Sequence, residues 1–309
     1  MITVDRLSAD ELPVELALSL ARLSLFSSPA FASLWKTIGG TDVYWVASEA
    51  GRLRAVLSGV EWRHWPIARF QSMPHGLYAR MYVDPEAGNS AAKITKELVR
   101  KIVHAGYAKI SIHDYHLALP RPVGFEQLTS TTTLVDISHS DWEPPDRTVK
   151  QEVRRAEREG VQARGFNIEQ DLDPFLALAV AVDVRIGRRP KYSPPFFKAL
   201  ARLALEDKRA RWNVAQIGGR LVASHIYFID GNMSLVWQTY FDKSVPQLKP
   251  NPFLLLKSIE QLVSEGVKFL NLGATPDRAS GVAAFKEKWG GVTYEYPWYR
   301  HHTLLGRLW

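Results

Sequence analysis

The stretch Val46–Ala55, VASEAGRLRA, returns 168 residues later as Val214–Ala223, VAQIGGRLVA. Six of the ten positions are identical without a gap, and Gly51 aligns with Gly219. Around each glycine-containing pair lie two strand-like runs, at 43–48 and 53–60 in the first half and at 212–216 and 221–229 in the second, which is typical of a β-hairpin. The two decamers therefore predict the same hairpin in both halves of the chain.

The correspondence continues downstream of both hairpins. Tyr82-Val83-Asp84 matches Tyr240-Phe241-Asp242, and a helix-like run ending at Gly106 matches one ending at Gly266. An apolar strand follows each of these two glycines. A repeat of this length is a whole domain rather than a solenoid unit. The chain is therefore predicted to contain two copies of one domain.

Composition narrows the class of protein. The 309 residues suit two domains of ordinary size, and 46% hydrophobic with 23% charged residues is typical of a folded soluble protein. The absence of cysteine excludes disulfides, thiol nucleophiles and zinc–thiolate sites, and it fits the cytoplasm. No signal-peptide pattern is present, and no apolar run approaches the ~20 residues of a membrane span. We therefore expect a soluble, cytoplasmic protein without a transmembrane segment.

The chain is basic, with a net charge of +7 and an isoelectric point of about 9.5. This balance favours phosphate-bearing partners, namely RNA, a nucleotide cofactor or an anionic membrane surface. The alternative is that the charge serves solubility alone.

Both halves show the same order of elements: antiparallel strands, a helix and a further strand. That order predicts an α/β (α+β) fold with a mixed, mainly antiparallel sheet covered by helices. Two prolines, a tryptophan and three acidic residues within 138–146 indicate a linker. We therefore place one domain at residues 1–143 and a second at 144–309. Residues 171–208 have no counterpart in the first half and predict a helical insertion before the second sheet.

This order resembles the GNAT acyltransferase fold, and two such domains in tandem resemble the FemABX peptidyltransferases and their FemAB-like relatives. Three stretches carry the resemblance: the basic helix Arg154–Val161, the helix start Lys249–Leu255, and residues 271–291. The last runs from Asn-Leu-Gly-Ala to Phe-Lys-Glu-Lys-Trp-Gly-Gly. The resemblance covers most of the chain and is strongest from about residue 147 onward.

The resemblance implies an acyltransferase with two tandem GNAT-like domains. In Fem-type enzymes the donor is an aminoacyl-tRNA and the acceptor is an amine of a peptidoglycan precursor. The expected partners are therefore a small-molecule, glycan or peptide precursor as acceptor, with tRNA as a further candidate and no DNA. No permanently bound cofactor is expected, since the activated acyl donor is a co-substrate.

One loop departs from the ordinary GNAT pattern. GNAT domains hold the pyrophosphate of CoA on a glycine-rich loop, whose backbone N–H groups approach the phosphates at a helix N-terminus. This chain has Gln247-Leu248-Lys249-Pro250-Asn251-Pro252 there, and each proline removes an N–H donor. In the first half, residues 86–91 hold one glycine and Glu86. These departures favour aminoacyl-tRNA as donor over acyl-CoA.

Lys286 is the first candidate for a catalytic residue. It lies in the Phe-Lys-Glu-Lys-Trp-Gly motif, where the resemblance implies a lysine near the reacting centre. Its ammonium group could bind phosphate or stabilise the oxyanion of acyl transfer. The alternative is a solvated helix lysine, which is the interpretation for Lys288. Trp289 is a candidate substrate contact, although a core anchor is the favoured interpretation.

Four further candidates lie on two strands of the second half. Asn271 and Gly273 fall at the carboxyl end of a buried strand, where α/β sheets place ligands. Asn271 could equally cap the next turn. Gln238 and Tyr240 alternate on one strand and share a face, which borders the acyl-transfer cleft in GNAT domains or is simply half-buried. We count Asn271, Gln238 and Tyr240 as catalytic candidates.

Substrate contacts are expected from the inserted segment and from the loop before the main helix. A basic loop could bind diphosphate or a carboxylate, or be merely exposed. Asn251 fits the family pattern, but a helix cap is its favoured role. Together with Gly273 and Trp289, the substrate-binding candidates are Arg185, Arg188, Lys191, Tyr192 and Asn251.

No metal site is expected. His113-Asp114-Tyr115-His116 follows a strand, but no third ligand occurs at a metal-like spacing.

The sequence therefore predicts transfer of an acyl or aminoacyl group to an amine of a cell-envelope or exopolysaccharide-related acceptor. Two alternatives stay open: a non-catalytic GNAT-fold module that binds RNA or an anionic ligand, and an acetyl-CoA-dependent N-acetyltransferase. Contact with an anionic membrane surface is a further expectation from the charge.

Overall fold

A computed structural model of the chain describes residues 1–113, 121–275 and 280–308. The chain divides into two compact units: unit 1 comprises Met1–Ser130 and Glu295–Trp309, and unit 2 comprises Thr131–Tyr294. The predicted linker at 138–146 thus lies within unit 2, and the end of the chain belongs to unit 1. The reason is strand pairing, because residues 298–302 pair antiparallel with residues 109–113.

Unit 1 is built on a mixed, mainly antiparallel sheet. Its strands follow the order β1-β2-β3-β4-β6-β13, and β5 pairs with β3 beside β4. The pairing of β4 with β6 is parallel and the others are antiparallel. The strands are β1 (Ile2–Leu7), β2 (Thr41–Glu49), β3 (Arg52–His64), β4 (Ile67–Gln71), β5 (Tyr82–Val83), β6 (Lys109–His113) and β13 (Val292–His302), whose first three residues belong to unit 2.

The helices of unit 1 are α1 (Val14–Leu23), α2 (Pro29–Ser33), α3 (Ala91–His104) and α9 (Leu304–Leu308). The main helix, α3, buries Ile94, Leu98 and Ile102 at helical spacing. These side chains pack on Phe70 and Tyr107 of the sheet side, and together they form the core of the unit. The amphipathic pattern of α3 thus fixes which face of the sheet it covers.

Unit 2 has the same plan. Its strands follow the order β7-β12-β11-β10-β9-β8, and only the pairing of β11 with β12 is parallel. The strands are β7 (Glu126–Asp136), which begins in unit 1, β8 (Gln162–Gly165), β9 (Ala210–Ile217), β10 (Arg220–Asp230), β11 (Met233–Phe241) and β12 (Phe269–Asn271).

Two layers of helices cover this sheet. Helix α7 contributes Phe253, Leu254 and Ile259 to a core shared with α4 and the strands. The predicted insertion forms two helices, in which Phe175 packs edge-on against Trp212 and Tyr240, and Phe197 packs edge-on against Tyr240. The helices are α4 (Arg147–Arg158), α5 (Ile168–Arg185), α6 (Pro194–Glu206), α7 (Pro250–Ser264) and α8 (Ser280–Glu287).

The repeat predicted from the decamers is confirmed in detail. Ala50 and Gly51 form the first hairpin turn with φ of 52° and 75°, and Gly218 and Gly219 form the second with 54° and 78°. Two central residues with positive φ are the mark of a type I′ hairpin turn, which suits the twist of the flanking strands.

A bulge also recurs at the same place. Arg54 in β3 and Val222 in β10 both lack a partner on the preceding strand. The carbonyl of each bulged residue accepts a hydrogen bond from an aspartate backbone N–H, at 2.7 Å from Asp84 and 2.9 Å from Asp242. A bulge of this kind is a conserved structural device, so its recurrence identifies the two units as copies of one fold.

Several elements differ from the sequence-based expectation. Strands β1, β4 and β8 were not expected, because they are short or rich in polar residues. The sequence of residues 76–83 predicts a strand, whereas the structure limits it to Tyr82–Val83. Helix α5 begins at Ile168, just before the predicted insertion at 171–208, since Asn167 caps it by accepting hydrogen bonds from Glu169 N and Gln170 N.

In the described part of the chain, no helix combines the length and apolar character that a membrane crossing requires.

Candidate active site

The parallel strands β11 and β12 separate at one end. They pair from Met233 with Phe269 to Leu235 with Asn271, and there the ladder ends. Strand β11 continues for six more residues to Phe241, whereas β12 stops. Within the described residues, β11 has no strand partner on that side beyond Leu235. The pairing of the two strands therefore opens at their carboxyl ends, and this opening in the ladder lies where α/β sheets place ligands.

Asn271 organises the chain at this opening. Its side chain is fully buried, and Oδ1 accepts hydrogen bonds from Thr132 Oγ1 at 2.5 Å and from Gly273 N at 2.8 Å. The second bond fits a turn at Gly273, whose φ of +74° favours glycine. Asn271 therefore holds the backbone of Gly273 in place, which is the turn-capping role that the sequence analysis left open.

Lys286 of α8 contacts the turn at Gly273. Its Nζ donates a hydrogen bond to Gly273 O at 2.6 Å, and the side chain is only 5% exposed. Burial lowers the pKa of Lys286 to about 8, because removal from water penalises the ammonium form. No carboxylate in the described residues forms an ion pair with it. The interpretation of Lys286 as a solvated helix lysine is therefore wrong.

The position of Lys286 depends on close packing behind it. Gly291 N donates to Lys286 O at 3.1 Å, and a Cβ on Gly291 would lie 2.5 Å from Thr133 Cγ2. Trp289 is fully buried and stacks on Trp142 with ring centroids 6.4 Å apart. Trp289 is thus a core anchor at the end of α8, and the structure gives it no exposed face for a substrate.

The start of α7 lies beside a cavity of about 290 Å³, whose lining includes Lys243, Lys249, Asn251 and Phe285. Lys249 is the N-cap in left-handed conformation, so Pro250, Asn251 and Pro252 form the first turn of the helix. Asn251 is therefore inside the helix rather than its cap. Its Oδ1 instead lies 2.8 Å from His225 Nε2.

His225 is a buried histidine that the sequence analysis did not single out. It is 1% exposed, and burial lowers its pKa to about 4, so the ring is neutral. We assign the proton to Nε2, because Asn251 Oδ1 can only accept a hydrogen bond. This bond directs the amide nitrogen of Asn251 away from His225. The strand signal of β10 gave no indication of this contact, since the two residues are 26 positions apart.

Gln238 and Tyr240 lie on the face of β11 that α5 and α6 cover. Tyr240 is 2% exposed, packs against Phe175, and its hydroxyl is 3.5 Å from Gln238 Oε1. Burial, with the charge of Asp183, raises the pKa of Tyr240 above its ordinary value. Tyr240 therefore remains a neutral hydroxyl at any physiological pH.

Two arginines at the end of α5 and in the basic loop after it form hydrogen bonds with the rest of unit 2. Arg188 Nε donates to Asp183 Oδ1 at 2.5 Å, and Arg185 Nη1 donates to Phe241 O at 3.1 Å. Lys191 lies over the ring of Tyr192, which is itself buried. Arg188 thus already has a carboxylate partner, and Tyr192 stacks on Phe196 of α6.

A metal site has no support in the part of the chain that the structure describes, where no group of three His, Asp or Glu side chains could hold an ion. Of the four residues His113-Asp114-Tyr115-His116, only His113 is described; Asp114, Tyr115 and His116 lie outside the described residues.

Comparison with known families identifies the class of the second half. Residues 146–287 match a family model described as an acetyltransferase (GNAT) domain. This segment contains α4 to α8, and thus both Lys286 and Asn271. No curated protein matches the chain.

Solved structures extend the likeness to the whole chain. The crystal structure of FemX matches with a TM-score of 0.74 at 13% identity, covering 98% of this chain and 99% of that one. A C-terminal domain of a putative lysylphosphatidylglycerol synthetase from Agrobacterium fabrum matches with a TM-score of 0.62 at 14% identity, covering 95% and 94%. A tandem GNAT protein from the clavulanic acid biosynthesis pathway matches with a TM-score of 0.58 at 11% identity, covering 98% of each chain.

These matches confirm the predicted fold class, a mixed α/β fold with two GNAT-like units. Together with the family model, they support the expected acyltransferase class.

Proposed function

We propose that unit 2 transfers an acyl or aminoacyl group from an activated donor to an amine of a cell-envelope or exopolysaccharide-related acceptor. The observation that carries the proposal is the contact of the buried Lys286 ammonium with Gly273 O, at the opening between β11 and β12. An ammonium group that is buried without a carboxylate partner costs free energy, and such groups are found at sites where they stabilise negative charge that develops in a reaction.

The chemistry of aminolysis fits such a cation. The acceptor nitrogen forms a bond to the donor carbonyl carbon, the carbonyl oxygen becomes an oxyanion, and the ester or thioester bond then breaks. The acceptor amine loses a proton, and the leaving oxygen or sulfur takes one up. Lys286 has three N–H donors, of which Gly273 O uses one. The remaining donors are available to stabilise the oxyanion or a phosphate.

The start of α7 supports aminoacyl-tRNA over acyl-CoA as the donor. Among the first three residues of the helix, only Asn251 carries a backbone N–H. A pyrophosphate cradle needs several converging N–H groups, so this helix start is a poor one. The cavity next to it instead presents Lys243 and Lys249, although Lys249 Nζ also lies 2.9 Å from Glu152 Oε1. These cations suit the phosphates of an RNA end.

The names of two matched structures are consistent with this proposal. One is FemX, and another is described as a putative lysylphosphatidylglycerol synthetase. For this chain the acceptor is a proposal, and the amine-bearing precursors of the envelope are the first compounds to test.

A donor competition experiment tests the proposal. The full chain is incubated with radiolabelled aminoacyl-tRNA or acyl-CoA and a panel of amine-bearing envelope precursors, and product is counted for wild type and Lys286→Met. Transfer from aminoacyl-tRNA that depends on Lys286 is expected. Transfer from acyl-CoA alone, with saturable CoA binding in calorimetry, would establish the N-acetyltransferase alternative instead.

The same two prolines favour one alternative from another class, a module that binds RNA or an anionic ligand without catalysis. That function predicts salt-dependent binding of tRNA and no acyl transfer with any donor or acceptor. In that case neither wild type nor Lys286→Met would form product, although both would bind uncharged tRNA.

A further inference from the structure

Unit 1 carries an exposed aromatic side chain at the tip of the hairpin between β3 and β4. Trp65 is 95% exposed, which is unusual for the largest apolar side chain. Within the described residues it is the largest of the exposed hydrophobic side chains. An exposed tryptophan on a two-residue tip contributes no packing to the unit, so its side chain is available for contact with a partner.

Two further apolar side chains leave the same edge of the sheet. Leu304 and Leu305 of α9 are 81% and 55% exposed. Helix α9 is fixed there because Thr303 N donates to Ala108 O at 3.0 Å. Ala108 N in turn donates to Ala68 O of β4 at 2.8 Å. The helix and the hairpin tip therefore emerge from adjacent strand ends.

Cations accompany these apolar groups. Arg69, Lys109 and His302 are register partners across β4, β6 and β13, so they form one row at this edge. Lys109 and Arg69 also line a cavity of about 230 Å³ with His64 and Trp65. Partial burial, with the cations Arg300 and Lys109, lowers the pKa of His302, and Arg307 acts in the same direction.

Two of the arginines at this edge already form ion pairs with carboxylates of the protein. Arg63 is tied to the buried carboxylate of Glu61, and Arg300 donates to Glu126. Glu126 is also the acidic group that opposes the cations near His302. The remaining cations, Arg69, Lys109 and Arg307, leave a positive balance around Trp65 and the two leucines.

We propose that this surface, defined by Trp65, Leu304, Leu305, Arg69, Lys109 and Arg307, binds unit 1 to an anionic phospholipid bilayer. Tryptophan and leucine side chains enter the interfacial region of a bilayer, while lysine and arginine remain at the phosphate level. An acidic protein surface would suit the cations, but it would leave Trp65 and two leucines to be covered by a matching apolar pocket. The inference rests on unit 1 alone and does not depend on the proposed transfer reaction.

Vesicle co-sedimentation of the full chain tests this proposal. Wild type is expected to partition onto phosphatidylcholine vesicles containing phosphatidylglycerol, more weakly onto pure phosphatidylcholine, and less at high salt. Trp65→Ser should lower the partition coefficient about tenfold, because an apolar side chain of this size no longer leaves water. Arg69→Gln and Lys109→Gln should each lower it about fivefold on the anionic vesicles.

Leu205→Ser is the matched control, because Leu205 is 68% exposed but lies in unit 2. It should leave the partition coefficient unchanged, and circular dichroism should show that every variant is folded. Absence of wild-type binding to anionic vesicles would overturn the proposal, as would an equal loss in Trp65→Ser and Leu205→Ser. Self-association of the chain that Trp65→Ser abolishes in sedimentation velocity, without vesicle binding, would also overturn it in favour of a second copy as occupant.

Discussion

The two units differ most where their parallel strands end. In unit 1, Ser72 follows the last pair of β4 and β6 and ties the strands together. Its N donates to Ser111 O at 2.9 Å, and its Oγ accepts from His113 N at 2.9 Å. In unit 2 the ladder ends at Leu235 and Asn271, and the side chain of Asn271 bonds its own chain at Gly273 instead. The same topology is thus closed in one copy and open in the other.

The segment that follows strengthens this contrast. In unit 1 the chain leaves the sheet after Gln71 and returns only at Tyr82, and the intervening Met73, Leu77 and Tyr78 are buried. In unit 2, β11 runs without interruption to Phe241. At the ends of the parallel strands, unit 1 thus packs apolar side chains, whereas unit 2 holds the buried ammonium group of Lys286 against the backbone of Gly273. This contrast supports our proposal that the transfer reaction belongs to unit 2.

Replacement of Lys286 should give the largest effect. Lys286→Met is expected to lower kcat/KM for acyl transfer at least about 100-fold, as removal of an oxyanion donor does. Lys288→Met is the control, since Lys288 is only half-buried and donates to Thr148 Oγ1. It should change kcat/KM less than about twofold. Equal losses in the two variants would contradict the assignment of Lys286.

The pH dependence of the same residue sharpens this test. With a pKa of about 8, the Lys286 ammonium is lost as the pH rises through 8, so kcat/KM should fall on the alkaline side. Lys286→Arg should move this limb upward, because a guanidinium stays protonated. A limb that stays near pH 8 in Lys286→Arg would mean that another group titrates.

Asn271 should matter to stability more than its counterpart in unit 1. Asn271→Leu leaves Thr132 Oγ1 and Gly273 N without their acceptor, which should cost about 2–3 kcal/mol in the free energy of unfolding. The counterpart by register is Ser111, and Ser111→Ala should cost less than about 0.5 kcal/mol. Urea denaturation measures both. Equal costs would remove the difference between the open and the closed strand pair.

Acid should weaken unit 2 through His225. Its pKa is about 4 when folded and near 6.5 when unfolded, so between these values the unfolded state binds more protons and stability falls as the pH falls. His225→Gln keeps a donor for Asn251 but does not titrate, so its free energy of unfolding should fall less over this range. The exposed His139→Gln should behave like wild type. An unchanged slope in His225→Gln would contradict the neutral, buried state.

The smallest effect should come from the hairpin turns. Ala50 adopts a left-handed conformation that its counterpart Gly218 adopts without a side chain. Ala50→Gly should raise the free energy of unfolding by about 0.5–1 kcal/mol, and Gly218→Ala should lower it by a similar amount. Thermal or urea unfolding measures both changes. Shifts of the same sign would show that the two turns are not equivalent.

The sequence predicted the repeat and most strands because both depend on local patterns. The decamers carry the turn, the bulge and the alternating apolar residues that form the hairpins. The lysine at 286 was found through a motif and not through its environment. Its low pKa follows from burial at Gly273, which depends on the path of the chain between β12 and α8.

Long-range pairings could not be predicted in the same way. The contact of His225 with Asn251 depends on how α7 lies on β10, and the return of β13 to β6 joins residues almost 200 positions apart. No local signal specifies either of them. Strand β4 escaped prediction because it has only five residues and follows a proline, and its absence hid the closed strand pair of unit 1.

Hydrogen exchange with and without the donor tests the assignment of the reaction to unit 2 most directly. Peptides of the full chain are followed by mass spectrometry in the presence of aminoacyl-tRNA or acyl-CoA. We predict donor-dependent protection at 246–253 and 280–291, and none at 72–81 or 109–113. Protection confined to 72–81 and 109–113 would contradict the account, because the reaction would then belong to the copy whose strands Ser72 holds together.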